Sequence, residues 1–214
     1  MEGSVPNLRP RRRTRISRVA RLVGHPRRLR RAVILAFVYL ALGVAGMSLS
    51  GEWKYGEVPV FFLPAGVAIG AVLVYRPTLL PGVFVGAFAL EFLFQVVAGG
   101  TIGVLGAGAA LIAATGATMQ AWLSLLALRK FVPERLRLLD GRSIFAFMAI
   151  TSALAAVPAG FLILAPSYLG MAMPGSIGIY SLHWWFAQIA GTAMIKPMAA
   201  GPSIPNDDRA GGTS

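Results

Sequence analysis

A carboxylate, two primary amides, an imidazole and two indoles stand inside otherwise apolar stretches of this chain. Such groups at membrane depth cost several kcal/mol unless they are paired or hydrated, so they mark candidate sites. Glu91 is the clearest of them, and Gln95 stands one turn further along the same helix face. His183, Trp184, Trp185 and Gln188 fall together in a later apolar stretch, and Pro64 interrupts an earlier one. The topology derived below places all of these residues in the outer half of the membrane. They would form an outward-opening polar pocket in which Glu91 binds a cation, a proton or a polar ligand. His183 or Gln188 would supply a hydrogen bond, and Trp184 or Trp185 would stack on the occupant. The competing reading makes Glu91 protonated or satisfied by Gln95, with the tryptophans as interfacial belt residues.

No arrangement supports catalysis. The sequence contains no GxxxxGK[ST], no HExxH and no Gly-x-Ser-x-Gly, and no span holds a pair of acids. With no cysteine and two histidines, His25 and His183, neither a thiolate nor a histidine-built metal site is expected. The expectation is a protein that is not an enzyme and carries no cofactor. Gly106-Ala-Gly108 lies in an apolar helix with no preceding strand, which rules it out as a dinucleotide loop.

The elements that must position these groups follow from composition. Hydrophobic residues make up 56% of the 214 positions and charged residues 13%, against about a quarter charged in soluble domains. Six apolar spans are expected at about Ala32–Ser50, Pro59–Tyr75, Thr78–Ala98, Ile102–Leu128, Ser143–Ala165 and Ile179–Ala200. Each is long enough to cross about 30 Å of hydrocarbon at about 1.5 Å per residue. The fold class is therefore all-α, a polytopic transmembrane bundle of about six helices. Arg76, Arg129, Lys130, Arg135, Arg137 and Arg142 fall in the loops on the side of the N-terminus, whereas the opposite loops hold one lysine, Lys54. That asymmetry puts both termini in the cytoplasm.

The net charge of +12 is a property of the N-terminal arm, since 11 of the 20 basic residues are arginines within the first 31 positions. Arg11, Arg12, Arg13, Arg15, Arg18 and Arg21 interleave with an apolar face of Ile16, Val19, Ala20 and Val23, the pattern of a basic helix on a membrane surface. Arg27, Arg28, Arg30 and Arg31 then stand directly before the first span, where anionic lipid attracts them. The bilayer is thus the expected partner and nucleic acid is not. The chain divides into a basic cytoplasmic arm (1–31), a transmembrane domain (32–200) and a short tail (201–214) expected to be disordered.

Glycines within the spans, as in Gly66-x-x-x-Gly70, Gly82-x-x-x-Gly86 and Gly103, Gly106 and Gly108, are expected to let helix backbones approach closely. Thr115, Thr118 and Gln120 are expected to hydrogen-bond between helices, and Lys196 to snorkel to the cytoplasmic surface.

Phe61–Leu93 holds Leu63-Pro-Ala-Gly-Val-Ala-Ile-Gly, then an arginine-containing turn, then Pro81-Gly-Val-Phe-Val-Gly-Ala. In this order it resembles the first family of bacterial membrane-associated sensor (MASE) domains. Thr115–Lys130 is similar to the family's span ending in Ala-x-Leu-Leu-x-Arg-Arg, and His183–Pro197 to its Trp-Trp signature; the likeness covers about Val33 to Ala200. Leu63 replaces the family's tryptophan before Pro64, Glu91 its usual asparagine, and Ala187-Gln188 its Gly-Asp.

The resemblance implies sensory input across the bacterial plasma (inner) membrane. Family members usually continue into a cytoplasmic effector, whereas this sequence ends in the Pro/Gly/Asp-rich stretch Gly201–Ser214. Signalling is therefore expected through a separate partner, a diguanylate cyclase or a histidine kinase, and a homo-oligomer stays open. Two other readings stand beside it: the substrate-binding membrane component of an energy-coupled small-molecule transporter, and a membrane interaction protein with no ligand.

Overall fold

The computed structural model describes residues 26–49, 59, 61–97, 103–131, 141–161 and 177–194. These residues are almost entirely helical, and no strand occurs among them. The six arginines from Arg11 to Arg21, the tail 201–214 and Lys196 lie outside the described residues. The helices are α1 (Pro26–Leu49), α2 (Leu63–Tyr75), α3 (Leu80–Val97), α4 (Val104–Phe131), α5 (Gly141–Leu154) and α6 (Ile177–Met194).

Among the described residues, four helical stretches are long and apolar enough to cross a membrane: Pro26–Leu49, Leu63–Val97, Val104–Phe131 and Ile144–Phe161. The chain is thus a multi-pass membrane protein. Arg27, Arg28, Arg30 and Arg31 form the first turns of α1. The last helix, α6, falls outside those four stretches although it is 18 residues long, because His183, Gln188 and the tryptophans dilute its apolar residues.

The stretch Leu63–Val97 contains a reversal. Arg76 precedes Pro77, whose ring disfavours a helical conformation in the residue before it. Arg76 accordingly leaves the helix with φ 65°, and a short 3-10 turn, Arg76–Leu79, leads into α3. Contacts fix the directions on either side. The Arg31 guanidinium lies 5.0 Å from the centre of the Tyr75 ring, and Gly46 faces the Phe61 carbonyl, so α1 and α2 run antiparallel. Gly82 faces Ala32, Gly86 faces Ala36 and Tyr39, and Gly43 faces Leu90, so α1 and α3 run parallel.

Close approach accounts for two of these glycines. A Cβ at Gly82 would sit 2.5 Å from the Ala32 carbonyl oxygen, and one at Gly86 would sit 2.8 Å from the Tyr39 Cβ. Backbone proximity of this kind holds helices together where lipid tails compete equally for apolar side chains. The α4 helix packs along α3 and then along α5, with Gly116 against Pro158 and Phe161. Ile69, Leu128 and Phe147 gather α2, α4 and α5 into a small apolar cluster near the end where α4 finishes. Pro158 also explains the break after Leu154: its ring collides with the carbonyl four residues back and it has no N–H to donate. Helix resumes over 156–161.

Thr115 and Thr118 do not bridge helices as the sequence suggested. Their hydroxyls donate to the carbonyls of Leu111 and Ala114 in their own helix, at 2.8 and 2.7 Å. That bond is always within reach of a helical threonine and satisfies the hydroxyl locally. Gln120 is buried, and its Nε2 has no partner among the described residues.

Candidate functional site

The local peculiarity from which the site grows is the start of α2. This helix has 13 residues, about 20 Å at about 1.5 Å per residue, and cannot span the hydrocarbon alone. Pro64 does not break it partway, as the span Pro59–Tyr75 had implied. It occupies the first turn, where a missing N–H costs nothing and a fixed φ suits the helix. Phe62, just before the helix, follows Phe61, whose carbonyl faces Gly46 in the last turn of α1, and its ring lies 6.2 Å from that of Tyr39. The chain there is non-helical at Pro59, Phe61 and Phe62; Phe61 is exposed, whereas Pro59 and Phe62 are buried.

Enclosed non-helical backbone in a membrane protein must find hydrogen bonds within the protein. The Phe62 N–H donates to the Ala187 carbonyl of α6 at 3.0 Å. Gly191 makes that approach available, because a Cβ there would overlap the Phe62 carbonyl and the Leu63 nitrogen. The Phe62 ring meets Trp184 edge-on at 5.3 Å, and Trp184 meets Tyr180 at 6.5 Å. An aromatic wall therefore runs from Tyr39 through Phe62 to Trp184.

Behind this wall lies a cavity of about 30 Å³. Its lining includes Tyr39 and Met47 of α1, Glu91 of α3, Ala113 and Ala117 of α4, and Trp184 and Gln188 of α6, with Phe62 and Pro158 closing it. The volume suits one water or a small ion, since a single water needs about 10–15 Å³ by the same kind of measure.

Glu91, Trp184 and Gln188, three of the seven residues singled out in the sequence, thus share one cavity. Gln95 is buried and donates from Nε2 to Glu91 Oε1 at 3.2 Å, which holds the carboxyl in place from the same helix face. Pro64 is buried in the first turn of α2, two residues past Phe62. Trp185 points to another helix and donates its indole N–H to the Ser152 carbonyl at 2.8 Å, a role in joining α5 and α6. His183 is exposed and lies apart from the cavity lining. Successive residues of a helix point about 100° apart, so a run such as His183-Trp184-Trp185 must spread over different faces.

Two polar groups of the lining residues have no partner among the described residues: the Trp184 indole N–H, a donor, and Gln188 Oε1, an acceptor. The Oε1 of Gln95, behind Glu91, is a third such atom. Buried polar atoms without protein partners signal a bound water or ion, because leaving them unpaired costs roughly 1–3 kcal/mol each. With a carboxylate, an amide oxygen and a phenol beside it, the cavity offers oxygen ligands to a small cation and a donor to a water that accompanies it.

Sequence reasoning missed Tyr39, Met47, Phe62 and Pro158. Tyr39 carried a readable signal, as the single phenol within the first span. Phe62 had none beyond its nearness to Pro64. No group of three or more metal-ligating side chains occurs among the described residues.

A family model, MASE1, matches residues 29–200. No curated protein and no solved structure matches the chain.

Proposed function

The chain belongs to the MASE1 family, and we propose that it is a membrane sensory input module that detects a small cation, the proton included, in the cavity beside Glu91. The observation that carries this reading is the meeting of Glu91, Trp184 and Gln188 from two helices around one small cavity, at the place where α2 begins inside the protein. An occupant there touches α1, α3 and α6 and lies against Phe62, whose N–H is bonded to α6. A change at Glu91 would therefore alter the fit of α2 against α6. Such a rearrangement, with no reaction catalysed by the chain itself, is the output passed to a cytoplasmic effector such as a diguanylate cyclase or a histidine kinase.

The size of the cavity favours this reading over a vitamin-class transporter component. Sites for small organic molecules usually measure about 300–1,000 Å³, at least about ten times the volume beside Glu91. The orientation proposed here puts the arginine-rich end of α1 in the cytoplasm of a bacterium, at its plasma membrane, following the bias of basic residues among the loops.

The test is thermal unfolding of the detergent-purified protein across a series of pH values and of alkali and alkaline-earth chlorides at constant ionic strength. Binding to the folded state alone raises apparent stability with ligand concentration. Wild type should show a shift with one of these variables that Glu91→Gln abolishes, while the unliganded stability of the two proteins stays within about 1 kcal/mol. Equal responses from wild type and variant would overturn the assignment of Glu91. The absence of any response in wild type would overturn the cation reading itself.

A further inference from the structure

A second, larger recess lies on the outside of the bundle. A crevice of about 280 Å³ follows the outer seam of α1 and α3, lined on α1 from Leu29 to Leu40 and on α3 from Pro81 to Ala89. Its floor is the close contact at Ala32, Ala36, Gly82 and Gly86, and its walls include Phe37, 68% exposed, and Val85, 56% exposed. The eleven steps from Leu29 to Leu40 rise about 17 Å at about 1.5 Å per residue. That is about half of a hydrocarbon core about 30 Å thick, the depth of one leaflet.

Among the described residues, the arginines of α1 gather at one end of this crevice. By helical period Arg28 heads the stripe of Ala32 and Ala36, and Arg30 heads the stripe of Val33 and Phe37. Both arginines are exposed, and neither has a hydrogen bond or ion pair among the described residues. Helical side chains lean toward the N-terminus, which carries both guanidinium groups away from the hydrocarbon. An apolar slot one leaflet deep with two unpaired cations at its mouth has the polarity of an anionic lipid reversed in charge. A helix, about 10–12 Å across, could rest on the slot but not enter it, whereas a single hydrocarbon chain could.

We propose that this crevice binds one acyl chain of an anionic diacyl phospholipid whose phosphate is held by Arg28 and Arg30. In the orientation proposed above the lipid belongs to the cytoplasmic leaflet, and the site itself is independent of the Glu91 reading. A lipid seated there would brace the parallel pair α1 and α3 at the end facing an effector.

Native mass spectrometry of the detergent-purified full chain, titrated with phosphatidylglycerol or phosphatidylcholine, tests the proposal. Wild type should retain one phosphatidylglycerol per chain in preference to phosphatidylcholine. The pair Arg28→Gln and Arg30→Gln should weaken phosphatidylglycerol retention about 25-fold, the product of about fivefold for each arginine, and should weaken phosphatidylcholine less, because its own ammonium offsets the charge of the same phosphate. Val85→Trp, or Val33→Trp on the opposite wall, should fill the slot and weaken both lipids without moving the melting temperature by more than a few degrees. The pair Arg12→Gln and Arg13→Gln, in the arm, should leave retention as in wild type. Equal retention of the two lipids by wild type would overturn the proposal. So would a loss from the arm pair equal to that from Arg28 and Arg30, which would mean diffuse attraction. Chain dimers dissolved by Val85→Trp would overturn it too, by assigning the slot to a second copy.

Discussion

Where α1 meets α3, glycine and alanine bring two continuous helices into backbone contact along their length; at the start of α2 the chain has left the helix, and, among the described residues, one backbone hydrogen bond runs from Phe62 to Ala187 of α6. The first seam is apolar and repetitive, built from Ala32, Ala36, Gly82 and Gly86. The second is aromatic and polar, with Trp184 and Gln188 each keeping an atom without a partner among the described residues. Contacts repeated at every turn give a seam that fails as a whole, whereas one bond beside a polar cavity gives a joint that a small occupant can bias. On the proposed function, α1 and α3 serve as the scaffold and α2 and α6 as the adjustable part.

The largest expected effect comes from attacking the scaffold. Gly86→Leu would drive a branched side chain into Tyr39 and the Ala36 backbone, where even a Cβ lies 2.8 Å from the Tyr39 Cβ. Overpacking against backbone should cost about 3 kcal/mol or more, visible as loss of the monodisperse folded fraction in size-exclusion chromatography. A well-folded Gly86→Leu protein would erase the distinction between the two seams. Gly191→Ala attacks the joint with a single methyl group, forcing α6 away from Phe62. It should cost about 1–3 kcal/mol and leave the protein folded, with the cation or pH response of wild type lost. Retention of that response would show that the joint does not transmit.

How much of this contrast the sequence discloses depends on which physical signal each part leaves. The reversal at Arg76-Pro77 and the close approach at Gly82 and Gly86 are legible because proline and glycine restrict or free the backbone locally. Glu91 and Gln188 are legible because polar groups stand out in an apolar stretch. The start of α2 is not, since Pro59 to Phe62 reads as apolar as any helix, and packing against α6 accompanies the departure of Phe62 from helical geometry. The threonines mislead for a related reason: whether a hydroxyl bonds to a neighbouring helix or to its own carbonyl leaves no mark in the residue type.

The tryptophan pair sharpens the comparison at smaller magnitude. Trp185→Phe removes the bond to the Ser152 carbonyl and leaves a half-buried acceptor, for a cost of about 0.5–1.5 kcal/mol in thermal unfolding. Trp184→Phe removes an N–H that has no partner among the described residues, so it should cost less than Trp185→Phe once the lost ring area is matched in both. The reverse order would mean that the cavity side of α6 is packed as firmly as its α5 side.

The smallest effect is expected at the neighbouring histidine. His183 shares its sequence position with the two tryptophans but not their surroundings, being exposed on a different face of α6. An exposed side chain away from caps, cavities and ion pairs changes stability by about 0.5 kcal/mol or less when replaced. His183→Ala should therefore leave both the melting temperature and the Glu91-dependent response as in wild type. A response lost in His183→Ala with stability unchanged would place the histidine in the detection of the ligand. It would then extend the adjustable region from the cavity to the exposed face of α6, where the sequence had first grouped His183 with Glu91.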